Sequence, residues 1–534
     1  MPDRSVGGAG LGLRPAGRIQ KPAAARAARP GSPFLPWLVA LVALSLTVSL
    51  EYSRYLFADS YYDLYAGRYI VRHGIPHHNV VTVVAHGAPW IDQQWFAHVL
   101  YYAAWAAGGY PAVALLSALV LTSGFAVLAL AMRSHGVPPT RVFLWTCAAL
   151  IVYLGNIVIR AQSFAYPLFA LTLWLVVADS AAPRLRARTW LVLPVLVLWA
   201  NTHGSVLIGA AMVTLYAGYR AVAAVLRRAS PRAVLGYLAL GAAGAASVLC
   251  TPYGTAVIGY YRAVNRVAPA LSHYVTEWQR PNPLYLVSMG FFALLTATVI
   301  AVAVAWRRGT RPGPVLAAIT LGLLIMALTA IRNQAFFAFA GSLLAADTLA
   351  RSTAGQAPAL SPAFSRATAG ILAAAALTGA VLIATEPAGK FESLVPVRAI
   401  DAAAALAARD PGARVLADEW SSPPMLWLHP AMFGRVGYDA RLEQFSVAQL
   451  RAYATFLTAQ AGDWPGLLRG YDLVLVNRKQ HGWLGAALTR LPGWRVVYSG
   501  RDGLVLERLS RPVPPRTPRR AGPGSSGPSR ARSR

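Results

Sequence analysis

The chain has 534 residues, of which 56% are hydrophobic and 13% charged, and its 49 Lys and Arg against 20 Asp and Glu give a formal charge of +29. That apolar fraction excludes an ordinary soluble protein and suits a membrane bundle with one further domain. A nucleic-acid partner is excluded by where the charge lies, in short segments between apolar stretches and not on a compact basic domain.

Residues 1–33 are basic and rich in Ala, Gly and Pro. No small-residue cleavage site follows the next apolar run, so the first span reads as an uncleaved signal anchor. Apolar stretches then recur at 34–50, 110–131, 142–159, 161–178, 189–200, 203–219, 233–250, 284–306, 313–331, 333–346 and 367–385. Most approach the roughly 20 residues that cross a hydrocarbon core of about 30 Å, while 189–200 and 333–346 cross only by borrowing flanking residues. Both cysteines, Cys147 and Cys250, fall inside these stretches, which leaves neither a disulfide framework nor a thiolate metal site.

Charge sets the orientation. With residues 1–33 in the cytoplasm, the pairs and clusters Arg133/Arg141, Arg184/Arg186/Arg188, Arg220/Arg227/Arg228/Arg232, Arg307/Arg308/Arg311 and Arg351/Arg366 fall on that same side in turn. About eleven spans follow, with residues 34–385 as the bundle and the C-terminus outside. The stretch 189–219 is then a hairpin reversing at Asn201-Thr202-His203-Gly204, because a single helix would carry the Arg220 cluster outward. The apolar segment 95–107 is too short to span and reads as an interfacial or re-entrant helix.

Ionisable groups are costly in lipid, so polar residues at span ends mark the faces of the bundle. On this topology they gather outside: Asp59, Asp63 and Asp92 in the first outer loop (51–109), Arg160 and Gln162, Asn201 and His203, Tyr253, Glu277, and Arg332 with Asn333. In Asp59-Ser-Tyr-Tyr-Asp63, and again at Arg68 and Arg72, the four-residue spacing puts each pair on one helical face. Such a helix presents a base with an anion clamp, or lies at the interface with its arginines on lipid phosphates. His73, His77, His78, His86 and His98 match no zinc spacing and read as solvated loop histidines. Glu277-Trp278 and Trp90-Ile91-Asp92 pair a carboxylate with an aromatic ring, which suits either a sugar face or an interface anchor.

From 386 to 510 the pattern becomes that of a small α/β domain. Strands are expected at Arg414–Ala417 and Leu473–Val476, helices at 446–460 and 482–491, and a hairpin over 494–509 turning at Arg501-Asp502-Gly503. No phosphate-binding glycine loop or nucleophile elbow is present in it. Asp418-Glu419 and Asp439-Ala-Arg441 follow strands and either face a ligand or form structural salt bridges, the second being the preferred reading. Residues 511–534 are Arg, Pro, Ser and Gly and read as a disordered basic tail.

Taken as an ordered set, several motifs resemble the integral-membrane C-type glycosyltransferases (GT-C), in particular a bacterial branch related to mannosyl and aminoarabinosyl transferases that use polyprenyl-phosphate sugars. They are Asp59, Asp63 and Gly67; His73-Gly74-Ile75-Pro76; Pro89-Trp90-Ile91-Asp92-Gln93-Gln94-Trp95; Arg160-Ala161-Gln162; Trp199-Ala200-Asn201-Thr202-His203-Gly204; Pro252-Tyr253-Gly254; Glu277-Trp278; Arg332-Asn333; Gly437-Tyr438-Asp439-Ala440-Arg441; and Pro492-Gly493-Trp494. The resemblance runs from about residue 35 to 510. It implies a GT-C-like bundle in the bacterial plasma membrane, a catalytic acidic residue in the first outer loop and a lipid-linked sugar donor entering from the bilayer. Asp59 would be the base, with Asp63 as a second acidic residue whose role is open. Arg160 and Arg332, with Arg68, would neutralise the donor phosphate, and Asp92, Gln162, Asn201, His203, Tyr253 and Glu277 would bind sugar or acceptor. The acceptor is a glycan, lipid or protein, and a divalent cation is the one cofactor left open. The chain departs from the branch at Ala161, where proline is common, and in the spacing of its acidic pair. Two rival readings are a transporter or flippase of lipid-linked glycans and a non-catalytic envelope assembly protein. The first would need ionisable residues deep within spans or an inverted repeat, and the sequence has neither.

Overall fold

The computed structural model describes residues 34–354, 360–459 and 462–509. The basic N-terminal segment and the tail expected at 511–534 lie outside the described residues. Thirteen helices make up the first part: α1 (Phe34–Tyr52), α2 (Ala58–His73), α3 (Trp95–Ser134), α4 (Pro139–Tyr153), α5 (Ala165–Ser180), α6 (Val192–Thr202), α7 (Val206–Leu226), α8 (Pro231–Ala246), α9 (Val257–Leu271), α10 (Leu286–Arg307), α11 (Pro314–Ala327), α12 (Gln334–Ser352) and α13 (Pro362–Thr385).

Seven helical stretches among the described residues are long and apolar enough to cross a membrane, and α4 and α11 are shorter apolar helices. Each of the eleven expected stretches coincides with a helix, although length and composition alone do not fix how many cross. The chain is a multi-pass membrane protein. α12 is buried on nearly every face. Its Ala, Gly and Ser residues let neighbours approach closely, while Phe336 and Phe339 join Phe125, Tyr166, Phe169 and Trp199 in an aromatic core. The expected reversal near Asn201 is present: His203 is extended, and α6 ends before α7 begins.

Segment 95–107 is joined to the following span within α3, which breaks at Gly108 and Gly109. Gly109 has φ +65°, a conformation open to glycine at no steric cost. The N-terminal arm of α3 packs on α2, and the fit is close: a Cβ at Gly67 would stand 2.1 Å from the carbonyl oxygen of His98. Asp59 in the first turn of α2, and Arg72 and His73 in its last, match the helix dipole.

The C-terminal domain contains α14 (Ala388–Phe391), α15 (Val397–Ala407), β1 (Val415–Ala417), α16 (Ser422–Leu428), α17 (Val447–Thr458), β2 (Leu473–Asn477), α18 (Arg478–Leu488), β3 (Trp494–Ser499) and β4 (Gly503–Arg508). The strand order is β1-β2-β4-β3, with β1 and β2 parallel and both other pairs antiparallel. β2 is buried along its whole length, as its unbroken apolar run requires.

This domain and the first loop share one core. Tyr61, Tyr65, Val81 and Trp90 cluster with Met425, Leu426, Val436 and Leu475. Backbone bonds stitch the two together: Gly434 N–H donates to Val81 O at 2.8 Å and Val83 N–H to Val436 O at 2.8 Å.

Candidate active site

A cavity of about 1720 Å³ opens where the bundle, the first loop and the C-terminal domain meet. Its wall is built from the start of α2, the turn before α5, the α6–α7 reversal, one face of α9, the loop at 276–282, the turn at 331–333 and residues 440–443 of the C-terminal domain. Ser60 fixes the first of these: its hydroxyl donates to Ile159 O at 2.7 Å and accepts from Phe57 N–H at 3.2 Å. That bond holds the first turn of α2 beside Arg160.

At this junction charges alternate. Arg160 Nη1 lies 3.8 Å from Asp59 Oδ2 and donates a hydrogen bond to Glu277 Oε2. Arg332 Nη1 lies 3.3 Å from Glu277 Oε1, and its Nη2 donates to Gln162 Oε1 at 3.4 Å. Gln162 in turn donates to Tyr166 Oη at 2.9 Å. Burial pushes Glu277 up, but Arg160 and Arg332 outweigh it and hold the carboxyl at about 2. Asp59 moves the other way: loss of water raises its pKa more than Arg160 lowers it. With 49% of its side chain exposed, against 12% for Arg160, Asp59 is the member of this chain that faces open space.

Deeper in the wall, His98 sits between two carboxylates, with Nε2 3.1 Å from Asp63 Oδ1 and Nδ1 3.0 Å from Asp92 Oδ2. Burial raises the Asp63 carboxyl to about 6 against the opposing bond from His98. His98 is fully buried, so its reading as a solvated loop histidine is corrected; His73, His77, His78 and His86 are exposed. An unpaired carboxylate on α2 would be costly to bury, and the ring on the α3 arm meets that need.

The cavity thus gathers Asp59, Asp63, Arg160, Gln162, His203, Glu277 and Arg332 from five separate stretches of the sequence. Four other expected site residues stand behind it or apart from it. Asp92 buttresses His98. Asn201 accepts from Trp95 Nε1 at 2.7 Å and donates to Cys250 O at 2.8 Å. Tyr253 donates to Pro76 O at 3.1 Å. Arg68 stacks on Trp427, 4.3 Å from its ring centre, and donates to Leu426 O at 2.9 Å, so it joins loop to domain. Sequence reasoning missed Tyr62, Tyr260 and Glu443, which also line the cavity, as does Arg441, which the sequence marks mainly as a salt-bridge partner. Arg441 and Asp439 do form the expected salt bridge, at 2.6 Å.

Among the described residues no group of three or more His, Cys, Asp and Glu side chains is arranged to hold a metal ion. Between the Asp59 and Glu277 carboxylates the Arg160 guanidinium already stands, 3.8 Å from the first and hydrogen-bonded to the second. This donor set does not fit a divalent cation without displacing Arg160.

No family model matches the chain, and no curated protein does. Similar solved structures include apo ArnT from Cupriavidus metallidurans, 14% identical with a TM-score of 0.47 over 88% of this chain and 97% of that one. The same protein bound to undecaprenyl phosphate gives 14% identity and a TM-score of 0.45 over the same shares. The Archaeoglobus fulgidus oligosaccharyltransferase in complex with Zn and sulfate is 12% identical, with a TM-score of 0.48 over 88% of this chain and 73% of that one.

Proposed function

We propose that this protein is a membrane glycosyltransferase that moves a sugar from a polyprenyl-phosphate donor to an acceptor hydroxyl on the outer face of the bacterial plasma membrane. The observation that carries this reading is the convergence in one cavity of a half-exposed carboxylate, Asp59, with the Arg160–Glu277–Arg332 chain.

In the transfer step the acceptor oxygen forms a bond to the anomeric carbon while the bond from that carbon to the phosphate oxygen breaks. The acceptor proton passes to Asp59, and the leaving polyprenyl phosphate keeps the electron pair and gains one negative charge. Asp59 is suited to the first task because its oxygens are open to the cavity. The second needs cations aimed at charge that grows as the bond breaks. Arg332 is the freer of the two guanidinium groups for this, since Arg160 is committed to both Asp59 and Glu277. Gln162 keeps Arg332 in place, and His203, on the same wall, borders the sugar.

The test is transfer from labelled polyprenyl-phosphate sugars in membranes containing wild type or Asp59→Asn. The variant is expected to lose about 10²-fold or more, the scale of a positioned general base. Equal transfer by the two proteins would remove Asp59 from the mechanism, and transport of the labelled lipid without sugar transfer would replace the reading with a flippase.

A further inference from the structure

Resting on the transferase reading, the second half of the cavity raises the question of what the donor reacts with. At about 1720 Å³ the cavity exceeds the roughly 300–1,000 Å³ of an ordinary small-molecule site, so a donor headgroup leaves room for a second ligand. The wall supplied by the C-terminal domain differs in chemistry from the Arg160–Arg332 junction.

Arg441 is fully buried. Its Nε and Nη2 bond Asp439, Nη2 also reaches Asn79 Oδ1 at 3.2 Å, and its guanidinium lies 4.2 Å from the Trp90 ring centre. Its Nη1 has no partner, although the residue lines the cavity. A buried N–H without an acceptor is costly, on the order of 1–3 kcal/mol, and a ligand oxygen would relieve it. Two residues on, Glu443 also lines the cavity, and among the described residues no other side chain is hydrogen-bonded or ion-paired to its carboxyl. Burial raises this carboxyl to about 7, against the lowering pull of the nearby Arg441 guanidinium. Asp63 adds a buried oxygen without a partner on the same cavity wall, and the rings of Tyr62 and Tyr260 line the space as well.

One unused donor and two unused acceptors, set among aromatic rings, select by chemistry. An ammonium group can only donate, so it would leave the Arg441 N–H unmet and face its charge. A phosphate or carboxylate would meet Glu443 and Asp63. A hydroxyl both donates and accepts, and a sugar offers several beside a C–H face that packs on tyrosine. We infer that Arg441 and Glu443 of the C-terminal domain form an acceptor subsite that takes an uncharged, hydroxyl-rich sugar residue.

The full chain in phosphatidylcholine nanodiscs, which carry no sugar headgroup, tests this. Binding of methyl gluco-, galacto- and mannopyranosides is read by saturation-transfer NMR, with butylammonium and methyl phosphate as the contrasting probes. At least one glycoside is expected to bind, and Glu443→Gln and Glu443→Ala are each expected to weaken it about tenfold, the worth of one charge-assisted hydrogen bond. Both variants should keep the wild-type melting temperature, because Glu443 holds no other residue in place. Butylammonium or methyl phosphate binding at this wall in preference to every glycoside, or glycoside binding unchanged in both variants, would overturn the subsite. In transfer assays Glu443→Gln should raise the acceptor KM with the donor KM unchanged. Unchanged acceptor KM alongside an inactive Asp59→Asn would remove the subsite alone, whereas an active Asp59→Asn would remove the transferase reading itself.

Discussion

Enclosure within the cavity disfavours the ionised form of Asp59 while Arg160 favours it, so the two effects set the pH range in which Asp59 can take a proton. A base works only when deprotonated, and its raised pKa places the acid limb of the rate profile above the usual carboxylate range. Removing Arg160 takes away the lowering influence. Arg160→Gln is therefore expected to shift the acid limb of kcat/KM to higher pH, whatever the fall in its plateau; a limb at unchanged pH would mean that Asp59 is not the titrating base. Because the positive charge between Asp59 and Glu277 is a side chain, transfer is expected to survive EDTA, and loss of activity with rescue by magnesium or manganese would contradict this. At this scale the sequence was informative where polar residues interrupt apolar runs: Asp59, Arg160, Glu277 and Arg332 are conspicuous against the spans beside them. Glu443 was not, since nothing local separates a cavity-lining acid from an ordinary exposed one, and Arg441 stood out mainly as the partner of Asp439. His98 was misread because its partners, Asp63 and Asp92, are positioned by the packing of α2 on α3 and not by spacing.

That packing makes α2 and the first arm of α3 a unit that presents Asp59 and Asp63 together. Gly67 is the point of closest approach, and Gly67→Ala would drive a methyl group into the His98 carbonyl. The expected loss is about 1–3 kcal/mol of stability, typical of overpacking a close interface. It should appear as a lowered melting temperature in nanodiscs, with no gain in the tightness of the cavity; an unchanged melting curve would show that the two helices part easily. Strong periodicity made the elements of the C-terminal domain legible, with β1, α17, β2 and the β3–β4 hairpin at or within a few residues of their expected positions. α15 and α16 escaped notice, the first as an alanine-rich run and the second because two prolines stand in its first turn. The union of 95–107 with the next span also escaped it, because Gly108-Gly109 reads as a stop while the backbone merely bends there.

Across the molecule, the first loop, the turns at Arg160 and Arg332 and the C-terminal domain meet at one end of the bundle, as a shared compartment demands. Which compartment it is can be measured. In a background lacking Cys147 and Cys250, a cysteine at Ser272 should react with a membrane-impermeant maleimide added from outside, and one at Ser230 should react only after the membrane is opened. Labelling of both, or of Ser230 alone, would break the orientation. The loop's role as half of the domain's core was invisible in sequence, because Tyr65 and Asp439, bonded at 2.9 Å, lie 374 positions apart.

The core in which Trp90, Tyr65 and Val81 pack with Met425, Leu426 and Val436 has a practical corollary. Secreted without the rest of the chain, residues 386–509 would emerge with half of an oily seam uncovered and would clump instead of staying dissolved. A soluble version needs the polypeptide between α1 and α3 grafted back on, because that stretch supplies the other side of the seam.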